Sequence, residues 1–276
     1  MNTPRLYDGY LLDLDGTVYL GDELLPGAYE MITTVRRLGR QTLFLSNNPT
    51  RDRKMYADKL GKLGLPTPET HIVNPVVTMT AWLTREAPDA RVFVIGEEPL
   101  IRAIDAAGIR MTDRPDEIDI VIASYDRTFE YRKLQIAFDA IWQYKRARLI
   151  TTNPDAYCPF AGGRGEPDSR AIVAAIEACT GARCEVNVGK PDPVMLQTAV
   201  DALGLSAGDC LMVGDRLYTD IAMAVDAGID SALVLTGDST AAQVEALPQH
   251  RRPTFVLDRI DELLAGVQDD PTVVRR

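Results

Sequence analysis

The chain has 276 residues, a formal net charge of −10 and a pI near 4.8, so a nucleic-acid or anionic-membrane partner, which needs a basic surface, is disfavoured. At 46% hydrophobic and 25% charged residues it has the make-up of a soluble globular protein, with room for one large or two moderate domains. No apolar run approaches the ~20 residues of a membrane span, and MNTPRLYDGYLL lacks the basic and apolar regions of a signal peptide, so a cytoplasmic protein is expected.

The first predicted element is a short buried strand over Tyr10–Leu12, which runs into Asp13-Leu14-Asp15-Gly16-Thr17-Val18. Residues i and i+2 of a strand point the same way, so Asp13 and Asp15 are expected to aim off its end together. Two adjacent carboxylates repel, and one pKa should rise unless a hard divalent cation such as Mg2+ intervenes. One carboxylate could then serve as nucleophile and the other as proton donor and acceptor. A helix cap or an acidic turn is the plainer explanation of the same residues. The remainder of a calcium-binding loop is missing.

Val18–Leu25 reads as a small hairpin or flap. A helix is predicted from Pro26-Gly27 to Leu38, ended by Gly39. Gln41–Leu45 is a second apolar strand, ending in Ser46-Asn47-Asn48. Pro49 is expected to start a helix that runs to Leu63 and closes at Gly64. This alternation implies a parallel sheet between helices, whose ligands bind at the carboxyl ends of the strands. Ser46 and Asn47 hold the place on strand two that Asp13 holds on strand one. A hydroxyl with successive backbone N–H groups there suits phosphate, although a helix cap fits equally well.

The alternation restarts near Trp82. Strands are predicted at 91–96, 118–123 and 148–152, and helices at 99–107, 129–146 and 167–180. The polar and aromatic loop Thr151–Phe160, followed by the glycines at 162, 163 and 165, is a candidate substrate contact or a long surface connection. Val186–Pro191 returns to the first pattern, with Lys190 set between Gly189 and Pro191 as a candidate point charge for phosphate. After a helix to Leu203, the strand Cys210–Val213 ends in Gly214-Asp215, and Asp220 falls near the start of the next helix. Asp220 there is a helix cap, a supporting acid, or both. Ala232–Leu235 is the last predicted strand, and the polar tail from Gln268 is expected to fray. Cys158, Cys179, Cys184 and Cys210 form no C-x-x-C pair, and His71 and His250 lie in plain loop contexts. Any chemistry therefore rests on carboxylates, Lys, Ser and backbone.

Two Asp, then Ser, then Lys, then two Asp, each at the end of an apolar strand, form an ordered set. D-L-D-G-T-V, F-L-S-N-N, G-K-P and V-G-D-R-L-Y-T-D resemble the four motifs of the haloacid dehalogenase superfamily. The intact D-x-D resembles its phosphatases. The insert between the Ser and Lys motifs resembles class IIA, the NagD or 4-nitrophenylphosphatase type. The resemblance implies a Rossmann-like parallel-sheet α/β core in two parts, 1–81 and 186–276, with an inserted α/β cap domain over 82–185. It implies a Mg2+-dependent phosphatase of small phosphomonoesters acting through an aspartyl-phosphate. Asp13 would be the nucleophile and Asp15 the acid and base. The metal would be held by Asp13, Asp15 (through its carbonyl) and Asp215, with Asp220 orienting that shell. Ser46, Asn47 and Lys190 would bind the phosphate. In the cap, Asn153, Asp155 and Tyr157 would meet the leaving group. Where some relatives carry a P-G-x-G-S-like stretch, this chain has Glu166-Pro167-Asp168-Ser169-Arg170. The resemblance also leaves room for a homodimer, which such relatives often form. A phosphotransferase or phosphomutase, a phosphate-binding protein with a decayed site, and a receiver-like signalling domain remain the alternatives.

Overall fold

The computed structural model describes residues 5–160 and 164–266. The glycines at 162 and 163 and the tail from Gln268 lie outside the described residues. The chain divides into two compact units, one built from residues 1–46, 53–73 and 196–276 and the other from 47–52 and 74–195.

The first unit is a six-stranded parallel sheet. Its order is Phe255–Leu257, Asp230–Val234, Cys210–Gly214, Gly9–Asp13, Gln41–Leu45, Ile72–Val73. Tyr10 and Leu12 pack with Phe44, Leu211 and Val213 on one face, and Leu11, Leu43 and Met212 are equally buried on the other. Burial on both faces is what makes these strands apolar runs rather than alternating ones. The helix Ala28–Arg37 buries Ala28, Met31, Ile32 and Val35, the spacing of one helical face. Gly39, at φ +76°, supplies the left-handed turn that ends it. Tyr19–Leu20 and Glu23–Leu24 form the expected small hairpin.

The helix expected from Pro49 begins only at Arg53. Asn48 takes the intervening residues into a turn, its Oδ1 accepting from both the N–H and the hydroxyl of Thr50. The edge strands Phe255–Leu257 and Ile72–Val73 have too few residues to show a period, and the sequence reading passed over both.

The second unit carries its own five-stranded parallel sheet, ordered Cys184–Asn187, Arg148–Thr151, Ile120–Ala123, Arg91–Ile95, Arg110–Met111. Pro75–Glu86 and Glu98–Ala106 cover one face. Tyr131–Phe138 and Ser169–Thr180 cover the other. The unit changeover expected at 82 therefore falls at 74, because Val76, Met79, Trp82 and Leu83 pack on Val92, Leu100 and Ile104. Val186 and Asn187, expected to open the second part of the core, pair instead with Ile150 and Thr151. The long helix expected over 129–146 is regular only to Phe138 and widens into a π-helical turn over Asp139–Gln143. The segment read as a loop after Asn153 contains an antiparallel hairpin, Tyr157–Phe160 with Arg164–Pro167. Among the described residues, no helix is long and apolar enough to cross a membrane.

Asp168 caps the helix Ser169–Thr180 from a buried position, accepting the Ser169 N–H at 2.6 Å. Burial pushes its carboxyl up to about 6, aided by the Asp155 charge and opposed by the Ser169 and Asn153 donors. A raised carboxyl keeps its proton in the folded chain after the unfolded chain has lost it. Stability from this group is therefore full at low pH and declines as pH rises between about 4 and about 6. Asp168→Asn keeps the cap and removes the charge. Its unfolding midpoint should rise relative to wild type on going from about pH 4 to about pH 7. A difference between the two proteins that stays constant over that range would contradict the assignment.

Candidate active site

In the first unit, strand register brings the acids together. The parallel pairing of Leu12 with Val213 sets Asp13 level with Gly214, with Asp215 one residue further along the neighbouring strand. Asp220 follows in the turn Leu217–Ile221. One carboxylate oxygen from each of Asp13, Asp215 and Asp220 lies within 4.8 Å of the others, and all three residues are buried. Glycines make the space. A Cβ at Gly214 would fall on the Asp220 carboxylate, and one at Gly16 or Gly237 on that of Asp215. Gly16 also turns at φ +92°, a conformation that side chains rarely adopt.

Asp215 is held on one side only. Its Oδ2 accepts the Asp238 N–H at 2.7 Å, and its carbonyl accepts the Ser239 N–H at 3.1 Å. Its Oδ1 is buried with no hydrogen-bond partner among the described residues. Burial raises its carboxyl well above the ordinary range, and the Asp13 and Asp220 charges raise it further against the Asp238 N–H and Arg216. A close-set group of buried oxygen donors with an unsatisfied oxygen is the donor set that a hard divalent cation takes. The residues present therefore fit a metal ion.

Asp15 stands apart from this trio. It lies just past the end of Gly9–Asp13, in the turn bridged to Tyr19, and is exposed. The chain has left the strand by that point, so strand alternation no longer fixes where the Asp15 carboxylate points. Ser46 is buried one residue beyond Leu45, the partner of Asp13. Its N–H donates to the Val73 carbonyl at 3.1 Å, and its Oγ lies 2.8 Å from the Tyr56 hydroxyl. Asp220 is not the cap of the helix Ala222–Ala227. Its Oδ2 accepts the Arg216 N–H at 3.1 Å instead.

Sequence reasoning missed the segment Thr236–Ser239. Besides Asp238 and Ser239 on Asp215, the Thr236 hydroxyl donates to the Gly16 carbonyl at 2.7 Å, and the Ser239 hydroxyl accepts the Leu217 N–H at 3.1 Å. It too follows the end of an apolar strand, Asp230–Val234, and that position was the available signal. Tyr56 was missed because a tyrosine on an amphipathic helix reads as core.

The other predicted residues form a cluster within the second unit. Asn47 binds the backbone of Lys190, and Lys190 is itself buried. Asn153 and Asp155, expected to meet a leaving group, are buried and hydrogen-bonded to protein. Tyr157 is 56% exposed.

A family model described as haloacid dehalogenase-like hydrolase matches residues 10–110, and a HAD-hydrolase-like model matches residues 187–263. The sugar-phosphatase AraL of Bacillus subtilis is 37% identical over 95% of this chain and 94% of its own length. The 5'-nucleotidase YutF of the same organism is 33% identical over 94% of this chain and 98% of its own. The crystal structure of 4-nitrophenylphosphatase from Thermotoga maritima superposes with a TM-score of 0.87 at 33% identity, covering 95% of this chain and 98% of that one.

The like-charge burial yields a stability prediction. In EDTA, Asp215→Asn should melt above wild type, by about 2–4 °C for each kcal/mol of relieved repulsion, since the amide oxygen still accepts the Asp238 N–H. Added divalent cation should raise the wild-type Tm and leave the variant's nearly unmoved. A variant that melts below wild type in EDTA would show that the acids are not in conflict.

Proposed function

The chain belongs to the haloacid dehalogenase-like hydrolases, and from that premise we propose that it is a Mg2+-dependent phosphatase of small phosphomonoesters. The observation that carries this reading is the buried trio Asp13, Asp215 and Asp220, with Asp15 two residues after the first of them. The metal would be held by the carboxylates of Asp13 and Asp215 and the carbonyl of Asp15, and Asp220 would steady that shell. When bound, Mg2+ supplies charge neutralisation, both for the packed acids and for the phosphate oxygens.

The residues of the chain do the rest. An Asp13 oxygen attacks phosphorus in line and forms an acyl-phosphate bond. The bond from phosphorus to the ester oxygen breaks with its electron pair on that oxygen, and Asp15 protonates it so that the alcohol leaves. Asp15, now ionised, takes a proton from the water that attacks the phosphorus of the intermediate. Inorganic phosphate departs and Asp13 is restored. Exposure suits Asp15 to this double duty, because a group that gives and then takes a proton must reach the leaving oxygen and then water. The Ser46 hydroxyl, the Asn47 N–H and the Lys190 ammonium are assigned to the phosphate oxygens. The substrate is assigned as a class, a small phosphorylated metabolite such as a sugar phosphate or nucleotide.

Asp13→Asn should lower phosphatase turnover by at least ~10^3-fold while still melting cooperatively, because a near-isosteric amide cannot form the acyl phosphate. Retention of more than about a tenth of wild-type turnover would remove Asp13 from the nucleophile's role.

Activity should be abolished by EDTA, restored by Mg2+ and inhibited by Ca2+, whose longer bonds and higher coordination misplace the attacking oxygen. Full turnover after exhaustive removal of divalent ions, verified by elemental analysis, would end the carboxylate-cage reading.

A further inference from the structure

Asn47 grips the main chain at Lys190 from both sides. Its Oδ1 accepts the Lys190 N–H at 2.8 Å, and its Nδ2 donates to the Lys190 carbonyl at 3.0 Å. The second hydrogen of the same Nδ2 goes to Asp155 Oδ2 at 2.9 Å. Only one orientation of the amide satisfies all three bonds. A flipped amide would set an NH2 against the Lys190 N–H and an oxygen against the Asp155 carboxylate. Asp155 thus joins the Lys190 backbone in fixing how Asn47 is turned.

Asp155 is fixed in its turn. Its Oδ2 also accepts Asn153 Nδ2 at 3.0 Å, and the other hydrogen of that amide reaches Asp168 Oδ1 at 3.1 Å. Asn153 Oδ1 lies within hydrogen-bond reach of the Thr152 and Ser169 hydroxyls. Gly189, next to Lys190, lets the segments close up. A Cβ there would lie 2.9 Å from Asn47 Oδ1 and 3.1 Å from Asn153 Cβ. Asn153 is fully buried and Asp155 is 3% exposed, and the side chains of both are committed to protein partners. A buried network with its donors and acceptors this fully matched is built to hold a shape.

We infer that Asp155 is a positioning residue. Through Asn47 it holds the backbone at Lys190, and with it the cation that the proposed reaction places on the transferred phosphoryl group. This rests on the reading of Lys190 given above. The phosphoryl group is common to every substrate, whereas leaving groups differ. Loss of Asp155 should therefore slow all substrates alike, and a leaving-group contact would reorder them.

The test measures kcat and KM on 4-nitrophenyl phosphate, a hexose phosphate, glycerol phosphate and a nucleoside monophosphate. The proteins compared are wild type, Asp155→Ala, Asp155→Asn, Lys190→Met and the Lys190→Met/Asp155→Ala double variant. Asp155→Ala should lower kcat/KM by about 10- to 100-fold on all four substrates without changing their order. Asp155→Asn keeps an oxygen for the Asn47 amide and should regain most of that loss. In the Lys190→Met background, Asp155→Ala should cost less than about threefold more, because the two residues act on one step. If Asp155→Ala does not melt cooperatively, Asp155→Ser, too short to reach Asn47, carries the same expectations. A reordered substrate profile, an unimpaired Asp155→Ala, or fully additive losses in the double variant would overturn the inference while an impaired Lys190→Met left the reading of Lys190 standing. An unimpaired Lys190→Met would overturn both.

Discussion

The first unit depends on a repulsion. Asp13 and Asp215 stand at the carboxyl ends of strands whose pairing, Leu12 opposite Val213, fixes them side by side, and Asp220 is turned back onto them. Strands in a sheet lie only about 4.8 Å apart, so carboxylates at the ends of neighbouring strands come close to one another. The apolar packing of Tyr10, Leu12, Leu211 and Val213 holds the register rigid. A slip of one residue would turn every one of these side chains to the opposite face. Core packing therefore enforces an electrostatic conflict, which shows in the raised Asp215 carboxyl and in an Asp215 Oδ1 with no hydrogen-bond partner among the described residues. A cation placed among these acids would relieve the repulsion as well as form bonds.

The two polar clusters follow opposite rules. In the second unit Asn47, Asn153, Asp155, Asp168 and Ser169 share their donors and acceptors among themselves. In the first unit the donors stop short. The Thr236–Ser239 segment binds Asp215 Oδ2 and the Gly16 carbonyl, leaving the other Asp215 oxygen uncommitted. The same residue types thus serve different ends according to whether neighbours complete their hydrogen bonds. A satisfied network fixes geometry, and an incomplete one keeps a reactive or metal-binding valence open.

The paired α/β units and the order of the motifs were legible because parallel strands buried on both faces are apolar runs. Gly9–Asp13, Gln41–Leu45 and Cys210–Gly214 each end where the polar residues begin. Edge strands of two or three residues carry no such signal, and the helix Pro75–Glu86 was passed over although Asn74 and Pro75 mark its start. The i, i+2 rule that set Asp15 beside Asp13 holds only while the strand lasts, and the strand stops at Asp13. Burial was the other gap. Nothing in Thr-Asn-Pro-Asp distinguishes a loop that offers its side chains to a ligand from one that folds them into a network. That difference lies in partners more than a hundred residues away, as with Asn47 and Asp155.

Asn153 and Asp155 spend their side-chain polar groups on protein partners, whereas Tyr157, from the same predicted set, is 56% exposed. Tyr157 lies on the hairpin Tyr157–Phe160/Arg164–Pro167, where Phe160 is also exposed. Glu166 on the opposite strand accepts from Arg127 Nε at 2.7 Å and from the Tyr125 hydroxyl. The Arg127 guanidinium also pairs with Glu97 at 2.9 Å, so the base of the hairpin is tied to the sheet of its own unit while its aromatic side chains face outward. Rigid attachment with free side chains is the arrangement in which sequence can vary without loss of fold. Asp13 and Asp215 are set by strand register, and Asn47 and Asp155 by buried hydrogen bonds, whereas the Tyr157 and Phe160 side chains of this hairpin are exposed. The departure of Glu166–Arg170 from the motif of some relatives falls at the end of the same hairpin and the start of the helix that follows.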